Sequence, residues 1–544
     1  MPRGCSYLTE CLIQRSRSTV KAMRDLKDQE SENAVTEQKA GAGSSESVQR
    51  IQPSKGANLD KVLASGVVWT AAVKWISQIA TWAITLVVAR LLAPSDYGLV
   101  GMATIYLGLV TLFSEFGLGT AIITLRDITD DQISQLNTLS LVLGFVGFAI
   151  SAAVAIPVGK FFRAPGLPLV VIVMSIGFVV SAVRTVPYAL MQKDMRFKLL
   201  AVIDGLQVII QAIFTLVLAF LGFGYWALVL GNLSLSVAAT GLTLIWERQR
   251  FAWPRFSTLR EPLLLSWHII VGRLSWYVYD NSDFIVAGRV LGQAPLGAYT
   301  LAWTLAHVPL EKLTVLVNRV TPSVFAAVQS DFSALRRYLR TITGGLALVI
   351  FPVTLGMALV AGEFVGMALG QKWEGAVLPL ELLAIHALIR SNVILLAPVL
   401  NVVGEARFAM WNNLAALVIL PVSFYIASRW GTEGIAGVWV VVYPLIAFPL
   451  YWRLFRKIQM STKEYMGAIW PALSGCILMA IAVEVMKRLL SPALPLYVRF
   501  SSEILLGAVV YGLALISMHR QQLSSVFKLV QSFRRPLALV ERDS

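Results

Sequence analysis

Apolar runs about as long as a bilayer is thick recur along most of this chain. They fall at 64–89, 98–124, 135–158, 167–191, 199–221, 224–246, 262–288, 295–317, 341–361, 376–400, 408–428, 433–452, 466–486 and 497–518. A helix needs about twenty residues to cross a hydrocarbon layer roughly 30 Å thick. It also satisfies its own backbone hydrogen bonds, as lipid demands. The pattern therefore predicts an all-α membrane protein of about fourteen transmembrane helices. Spans 262–288 and 295–317 carry the most internal polarity. Residues 1–58 break the pattern: they are rich in Ser, Glu, Gln, Lys and Gly and hold no apolar stretch long enough for a signal peptide. They read as a disordered tail, within which Met23 offers a second possible start.

Composition agrees with the pattern. The 544 residues are 57% hydrophobic and 14% charged, with a mean hydropathy of +0.70. A soluble domain carries about a quarter charged residues, so this surface asks for lipid. The net charge of +15 raises nucleic acid as a partner, and its distribution argues against that. Of the 46 Lys and Arg, ten lie up to Lys61 and six within the expected helices. With the leading tail in the cytoplasm, 22 more fall in cytoplasmic loops and the trailing tail, and 8 on the opposite side. The positive-inside rule then puts both termini in the cytoplasm. Clusters such as Arg336–Arg337, Arg453–Arg456–Lys457 and Arg534–Arg535 are topology signals, with membrane lipid headgroups as partners. Cys5, Cys11 and Cys476 have no metal or disulfide spacing, and His268, His307, His386 and His519 are scattered, so no metal site and no cofactor is expected.

A repeat at an offset of 199 residues divides the chain. Segment 86–98 reads LVVARLLAPSDYG and segment 285–297 reads IVAGRVLGQAPLG, matching Val87 to Val286, Arg90 to Arg289, Leu92 to Leu291 and Gly98 to Gly297 without a gap. Both copies lie between the first and second helix of a six-helix unit. An offset of six helices preserves orientation, so the expected lobes are related by an axis along the membrane normal, a transporter architecture. The expected organisation is a cytoplasmic tail (1–58), a first lobe of helices 1–6 (59–250), a second lobe of helices 7–12 (262–457), a helix pair (464–519) and a cytoplasmic tail (520–544).

On these residues a family resemblance becomes specific. Lys61 to Thr104, with its Ala-Arg-Leu-Leu-Ala-Pro-Ser-Asp-Tyr-Gly turn, resembles the opening of the polysaccharide-transporter branch of the multidrug/oligosaccharidyl-lipid/polysaccharide exporter superfamily. Phe116 to Ala121, Leu190 to Phe197, and Asp283 to Tyr299 are similar to its later signatures, so the resemblance covers about 61–460. It implies a flippase for undecaprenyl-pyrophosphate-linked oligosaccharide repeat units in a bacterial inner membrane, serving exopolysaccharide, capsule or lipopolysaccharide synthesis. A polymerase and a chain-length regulator of the same pathway are implied partners. The long leading tail departs from the short one usual in the family.

Ionisable residues at mid-helix cost about 2.5–3.5 kcal/mol each on insertion scales, so they face a cavity or a partner. The candidates are Lys74, Glu115, Arg184, Asp204, Arg273, Asp280, Asp283 and Arg390. Lys74 and Arg273 differ by 199, the repeat offset, which places one cation on the first helix of each lobe. Arg273, Trp276, Tyr277, Asp280 and Asp283 share one helical face, as do Thr70, Lys74, Ser77, Gln78, Thr81 and Thr85. Facing stripes of this kind make a hydrated cavity with a cationic middle, suited to a pyrophosphate. The substrate-cavity set is Lys74, Gln78, Arg273, Trp276, Tyr277 and Arg390. The alternative pairs Arg273 with Asp280 and Lys74 with Glu115. Arg184 and Asp204 form an interhelical ion pair or touch substrate; Asp280 and Asp283 are coupling-ion sites or salt-bridge partners. Glu311–Lys312 reads as interfacial near a helix end, and Trp246, Trp373, Trp430 and Trp452 as interface anchors. Pro352, Pro398, Pro421 and Pro444 mark expected helix bends.

Two rival classes are open. A membrane glycosyltransferase or polymerase would present catalytic carboxylates on a sizeable loop; no Asp-x-Asp and no Gly-x4-Gly-Lys-Ser/Thr occurs, and the expected outer loops are about a dozen residues or fewer. A cation-coupled multidrug exporter of the same superfamily would share lobes and repeat. Fourteen helices and a basic membrane interior favour the lipid-linked sugar, with no enzymatic residues.

Overall fold

In the computed structural model, residues 81–114, 118–124, 128–246, 250–255, 274, 277–329, 331–490 and 494–520 are described. The leading tail, Lys74, Gln78, Glu115, Arg273, Trp276, His268 and the trailing residues from 521 lie outside them. Every regular element among the described residues is helical. Among those residues ten stretches are long and apolar enough to cross a membrane, one of which, Ala406–Ile458, holds two long helices that pack against each other.

In chain order the helices are α1 (Thr81–Leu91), α2 (Pro94–Ser114), α3 (Leu118–Thr124), α4 (Asp130–Phe162), α5 (Leu167–Lys193), α6 (Phe197–Phe220) and α7 (Tyr225–Trp246). After them come α8 (Ser282–Val290), α9 (Gln293–Ala327), α10 (Phe332–Leu359), α11 (Val377–Val393), α12 (Leu396–Val402), α13 (Ala406–Ala427), α14 (Gly431–Ile458), α15 (Thr462–Leu489) and α16 (Leu496–Met518). Much of the expected spans 64–89 and 262–288 lies outside the described residues, and most of the others are met within a few residues. Helix α9 differs: it runs on to Ala327, so Glu311 and Lys312 sit in its middle and not near its end. The hydrophobic expectation stopped at 317 because Asn318 and Arg319 interrupt the apolar run without breaking the helix.

These helices pack as lipid-solvated elements do. Along the middle of α4 the buried positions are small: Ser140, Gly144, Gly147, Ser151, Ala155 and Gly159 recur every three or four residues. Phe145, Ile150 and Ile156 of the same helix are exposed. Lipid already solvates the large side chains, so close backbone approach becomes the driving contact. A Cβ at Gly144 would stand 2.6 Å from Ala182 Cβ and 2.8 Å from Phe178 O, which shows how near α5 comes. The polar ends are capped: Thr129 and Gln132 form a reciprocal capping box on α4, and Asp331 accepts from the Ser333 and Ala334 amides on α10.

The two repeated turns meet each other. A Cβ at Gly98 would run into the Gln293 carbonyl, and a Cβ at Gly297 into the Pro94 carbonyl. One turn further on, a Cβ at Gly101 would touch Thr300 Oγ1 at 3.3 Å. Around this crossing the short helical turns of 361–376 reach the end of α1: Trp373 donates to Ala89 O at 2.8 Å and Arg90 to Met367 O at 3.2 Å. Trp373 was expected as an interface anchor, and the structure corrects this. It is fully buried, with its indole N–H given to a backbone carbonyl and its ring edge-on to Tyr97. Trp246, Trp430 and Trp452 remain exposed.

Within the same 361–376 segment, Glu363 binds Lys487 at 3.0 Å and Arg499 at 3.5 Å, tying α15 and α16 to it. Between α12 and α13, Glu405 takes Arg453 through both oxygens, at 3.0 and 3.1 Å, and Lys457 at 3.4 Å. The Arg453 hydrogen bonds hold the Glu405 carboxyl below the usual carboxylate range. A depressed carboxylate stabilises the fold above its unfolded pKa of about 4.3, and that stabilisation is lost as pH falls through the lower folded value. Glu405→Gln is therefore expected to be less stable than wild type at pH 7, with the two converging as pH falls from about 4.3 through the lower folded value. Thermal unfolding of detergent-solubilised protein across that range reads the difference; a constant gap at all pH values would rule the linkage out.

Candidate transport cavity

Helices α2, α7, α8 and α9 surround a cavity of about 370 Å³. Tyr97, Val100, Gly101, Thr104 and Ile105 of α2 line one side, and Leu228 and Asn232 of α7 continue it. Tyr277, Asn281, Phe284, Thr300, Trp303 and Thr304 form the other side. A second cavity of about 230 Å³ adjoins through the shared Thr104 and Asn232, and runs between α2, α5 and α7 past Thr111, Ser181, Thr185 and Ser236. No Asp, Glu, Lys or Arg is among the described residues lining either space.

Local sequence explains how the wall is built. Tyr277 crosses from the second half of the chain to donate to Ile105 O at 2.8 Å. Its hydroxyl occupies the place where a side chain at position 108 would begin, so the ring sits directly against the Gly108 backbone. Along α9, Tyr299, Trp303 and His307 follow at intervals of four and share one face. Trp303 lines the cavity, with its ring stacked on His307 at 3.9 Å and 12°.

Behind this wall lies a buried polar network. Asp283 is fully buried and accepts from Tyr299 Oη at 2.6 Å, Trp439 Nε1 at 2.9 Å and the Phe284 amide at 2.9 Å. Three donors on one carboxylate offset much of its lost hydration. Asp280 pairs with Arg390 of α11 at 2.9 Å, with both side chains mostly covered. Nε2 of His307 stands 3.1 Å from Nδ1 of His386. The histidines read as scattered in the sequence; 79 residues of separation hid this pair, which forms because α9 and α11 pack side by side.

The expected site residues are thus divided. Tyr277 lines the cavity. Asp280 is engaged by Arg390 and Asp283 by Tyr299 and Trp439; none of Asp280, Asp283 and Arg390 is among the described lining residues. Arg184 and Asp204 form an ion pair at 2.9 Å, with Tyr188 donating to the same carboxylate at 2.9 Å and Arg184 lying 4.2 Å above the Tyr188 ring. Sequence reading missed Thr104, Asn232, Tyr299, Trp303, His307, His386 and Trp439. The interval of four along α9 was a readable signal for three of them. Among the described residues no group of three or more His, Cys, Asp or Glu is placed to hold a metal ion.

Known proteins resemble the chain in both sequence and fold. The teichuronic acid biosynthesis protein TuaB of Bacillus subtilis (strain 168) is 25% identical over 421 residues, 76% of this chain and 87% of that protein. The succinoglycan biosynthesis transport protein ExoT of Rhizobium meliloti (strain 1021) is 22% identical over 458 residues, 83% of this chain and 92% of that protein. Among solved structures, lipid II flippase MurJ in its inward closed conformation superposes with a TM-score of 0.62 at 11% identity, covering 86% of this chain and all of that one. At that identity the likeness concerns the fold alone. The model of the family described as polysaccharide biosynthesis protein matches residues 87–378, more than half of the chain. On that match the chain belongs to the polysaccharide biosynthesis protein family.

Proposed function

We propose that this protein is a flippase that carries undecaprenyl-pyrophosphate-linked oligosaccharide repeat units from the cytoplasmic to the periplasmic leaflet of a bacterial inner membrane. The observation that carries the reading is the family match over 87–378, joined to a cavity bounded by helices from both halves of the chain. In this reading the long prenyl tail stays in lipid while the polar head crosses the cavity, and no covalent chemistry is needed. The lobes are two six-helix units related by the 199-residue offset, followed by the helix pair α15–α16, to give fourteen spans with both termini cytoplasmic. The reciprocal meeting of Gly98 with Gln293 and of Gly297 with Pro94 supports that relation, because the two contacts exchange under an offset of 199. Lys74 and Arg273, equivalent under the same offset, are the proposed pyrophosphate contacts.

The test is genetic. Deleting the gene should stop polymer export and leave the lipid-linked repeat unit on the cytoplasmic leaflet. Lys74→Ala and Arg273→Ala should each abolish export at near-normal protein abundance, and Lys74→Arg should retain part of it, since charge outweighs fork geometry at a single contact. Normal export from the deletion strain, with no second flippase present, would end the transport reading. Full activity of Lys74→Ala would end only the proposed cationic site.

A further inference from the structure

The cavity wall is neutral, and its polar groups have a definite donor and acceptor order. The Thr104 hydroxyl donates to Val100 O at 2.8 Å, Thr300 to Leu296 O at 2.8 Å, and Thr304 to Thr300 O at 2.9 Å. Their protons are committed, so these oxygens face the cavity as acceptors. Asn232 is the complement: its Oδ1 accepts from Gln211 Nε2 at 3.2 Å, which fixes the amide and leaves its N–H groups as donors without a partner among the described residues. The part-buried Trp303 lines the same cavity.

That indole is held in place. His307 stacks on it, and His307 Nδ1 lies 3.1 Å from Trp303 O. A carbonyl only accepts, so Nδ1 carries the proton and Nε2 accepts from His386 Nδ1. His386 is buried and stacks on Trp439 at 4.7 Å and 29°. Phe284 closes edge-on to the Trp303 ring at 5.4 Å and 72°. A platform fixed by packing loses little further freedom when a ligand covers it.

A pyranose has faces of C–H groups and an edge of hydroxyls that both donate and accept. An aromatic plate with amide donors and hydroxyl acceptors around it matches that chemistry. An anionic group would find no counter-charge among the described lining residues and would lose hydration without return. We infer that this cavity is a subsite for an uncharged sugar of the cargo head, with Trp303 as its stacking platform, Asn232 as its donor, and His307 as the residue that positions Trp303. The pyrophosphate is held elsewhere. The adjoining cavity past Ser181 and Ser236 extends the neutral, hydroxyl-lined space for a further sugar. Because Asn232 and Trp303 come from different halves of the chain, the sugar bridges them. This inference rests on the flippase reading above.

The experiment uses full-length protein in lipid nanodiscs and two probes: undecaprenyl pyrophosphate without sugar, and the saccharide-bearing lipid extracted from a deletion strain. Wild type should bind the saccharide-bearing lipid about tenfold more tightly, the scale of one aromatic stacking contact plus a hydrogen bond. Trp303→Ala and Asn232→Ala should each bring the two affinities to within about twofold without changing that for the bare lipid. Trp303→Phe should keep most of the discrimination. His307→Ala should lower it and His307→Phe, which restores a stacking ring, should recover it. Asn232→Ala keeps the test open if Trp303→Ala fails to fold. Equal binding of both probes by wild type, or unchanged discrimination in Trp303→Ala or Asn232→Ala, overturns the subsite and leaves the flippase reading standing. Failure of wild type to bind either probe overturns the flippase reading itself.

Discussion

Gly98→Ala and Gly297→Ala are each expected to abolish polymer export, although each adds only a methyl group. At both positions the new Cβ would run into a backbone carbonyl, Gln293 O in one case and Pro94 O in the other. A side-chain end can swing aside; a helix backbone cannot, and packed interiors absorb such overlaps only by moving whole elements. Helices α2 and α9 would have to separate where they now touch, and the conformation held by this crossing would be lost. Gly205→Ala and Gly241→Ala serve as controls, since a Cβ there meets nothing within 4 Å. Exchanging a helical glycine for alanine at an open site is neutral or mildly stabilising. Export is read in a complemented deletion strain beside the amount of protein in the membrane. Full activity of Gly98→Ala and Gly297→Ala together would mean that this crossing is not required during transport.

The second large effect is on stability. Removing Arg390 leaves Asp280 largely covered and without its cation, and breaking a pair of that kind costs about 3–5 kcal/mol. Arg390→Ala should therefore lower the thermal midpoint of the solubilised protein strongly, and Asp280→Ala should do the same. The double variant is the informative one. With both charges gone no uncompensated ion remains, so the double variant should be more stable than either single variant. A double variant whose loss equals the sum of the two singles would show that the residues act independently. The measurement also bears on the site, since Arg390 was expected among the cavity residues and is bound by Asp280.

How much of this was legible in the sequence follows from the range of each interaction. Hydrophobic length fixed the helices of α4, α5, α6, α7 and α16 to within a few residues, because crossing lipid is a local requirement met by each segment alone. The repeat at 86–98 and 285–297 was legible for the same reason: it is a comparison of strings. What the strings do not contain is that Gly98 packs on Gln293 while Gly297 packs on Pro94. A helix boundary set by polarity, as at Asn318 and Arg319 in α9, was misplaced because a helix tolerates polar residues that a hydropathy run does not.

The candidate site divides along the same line. A mid-helix charge is conspicuous in sequence, so Arg184, Asp204, Asp280, Asp283 and Arg390 were found, yet their partners were not all deducible. Arg390 has no carboxylate near it along the chain, and its counter-ion Asp280 comes from a helix 110 positions earlier. Trp373 resembled an interface anchor because it lies near a helix end, and tertiary packing buried it against Ala89 and Tyr97. His307 and His386 looked unrelated until α9 and α11 lay side by side. By itself the sequence determined an all-helical membrane chain, the positions of most of the spans that the described residues cover, the repeated turn and the family it resembles, because these are properties of segments in lipid. Only the tertiary structure decided which charges are already paired, which glycines admit a neighbouring backbone, and that a neutral wall of Thr104, Asn232 and Trp303 faces the cavity. Those depend on distances between residues far apart in the chain, which packing alone sets.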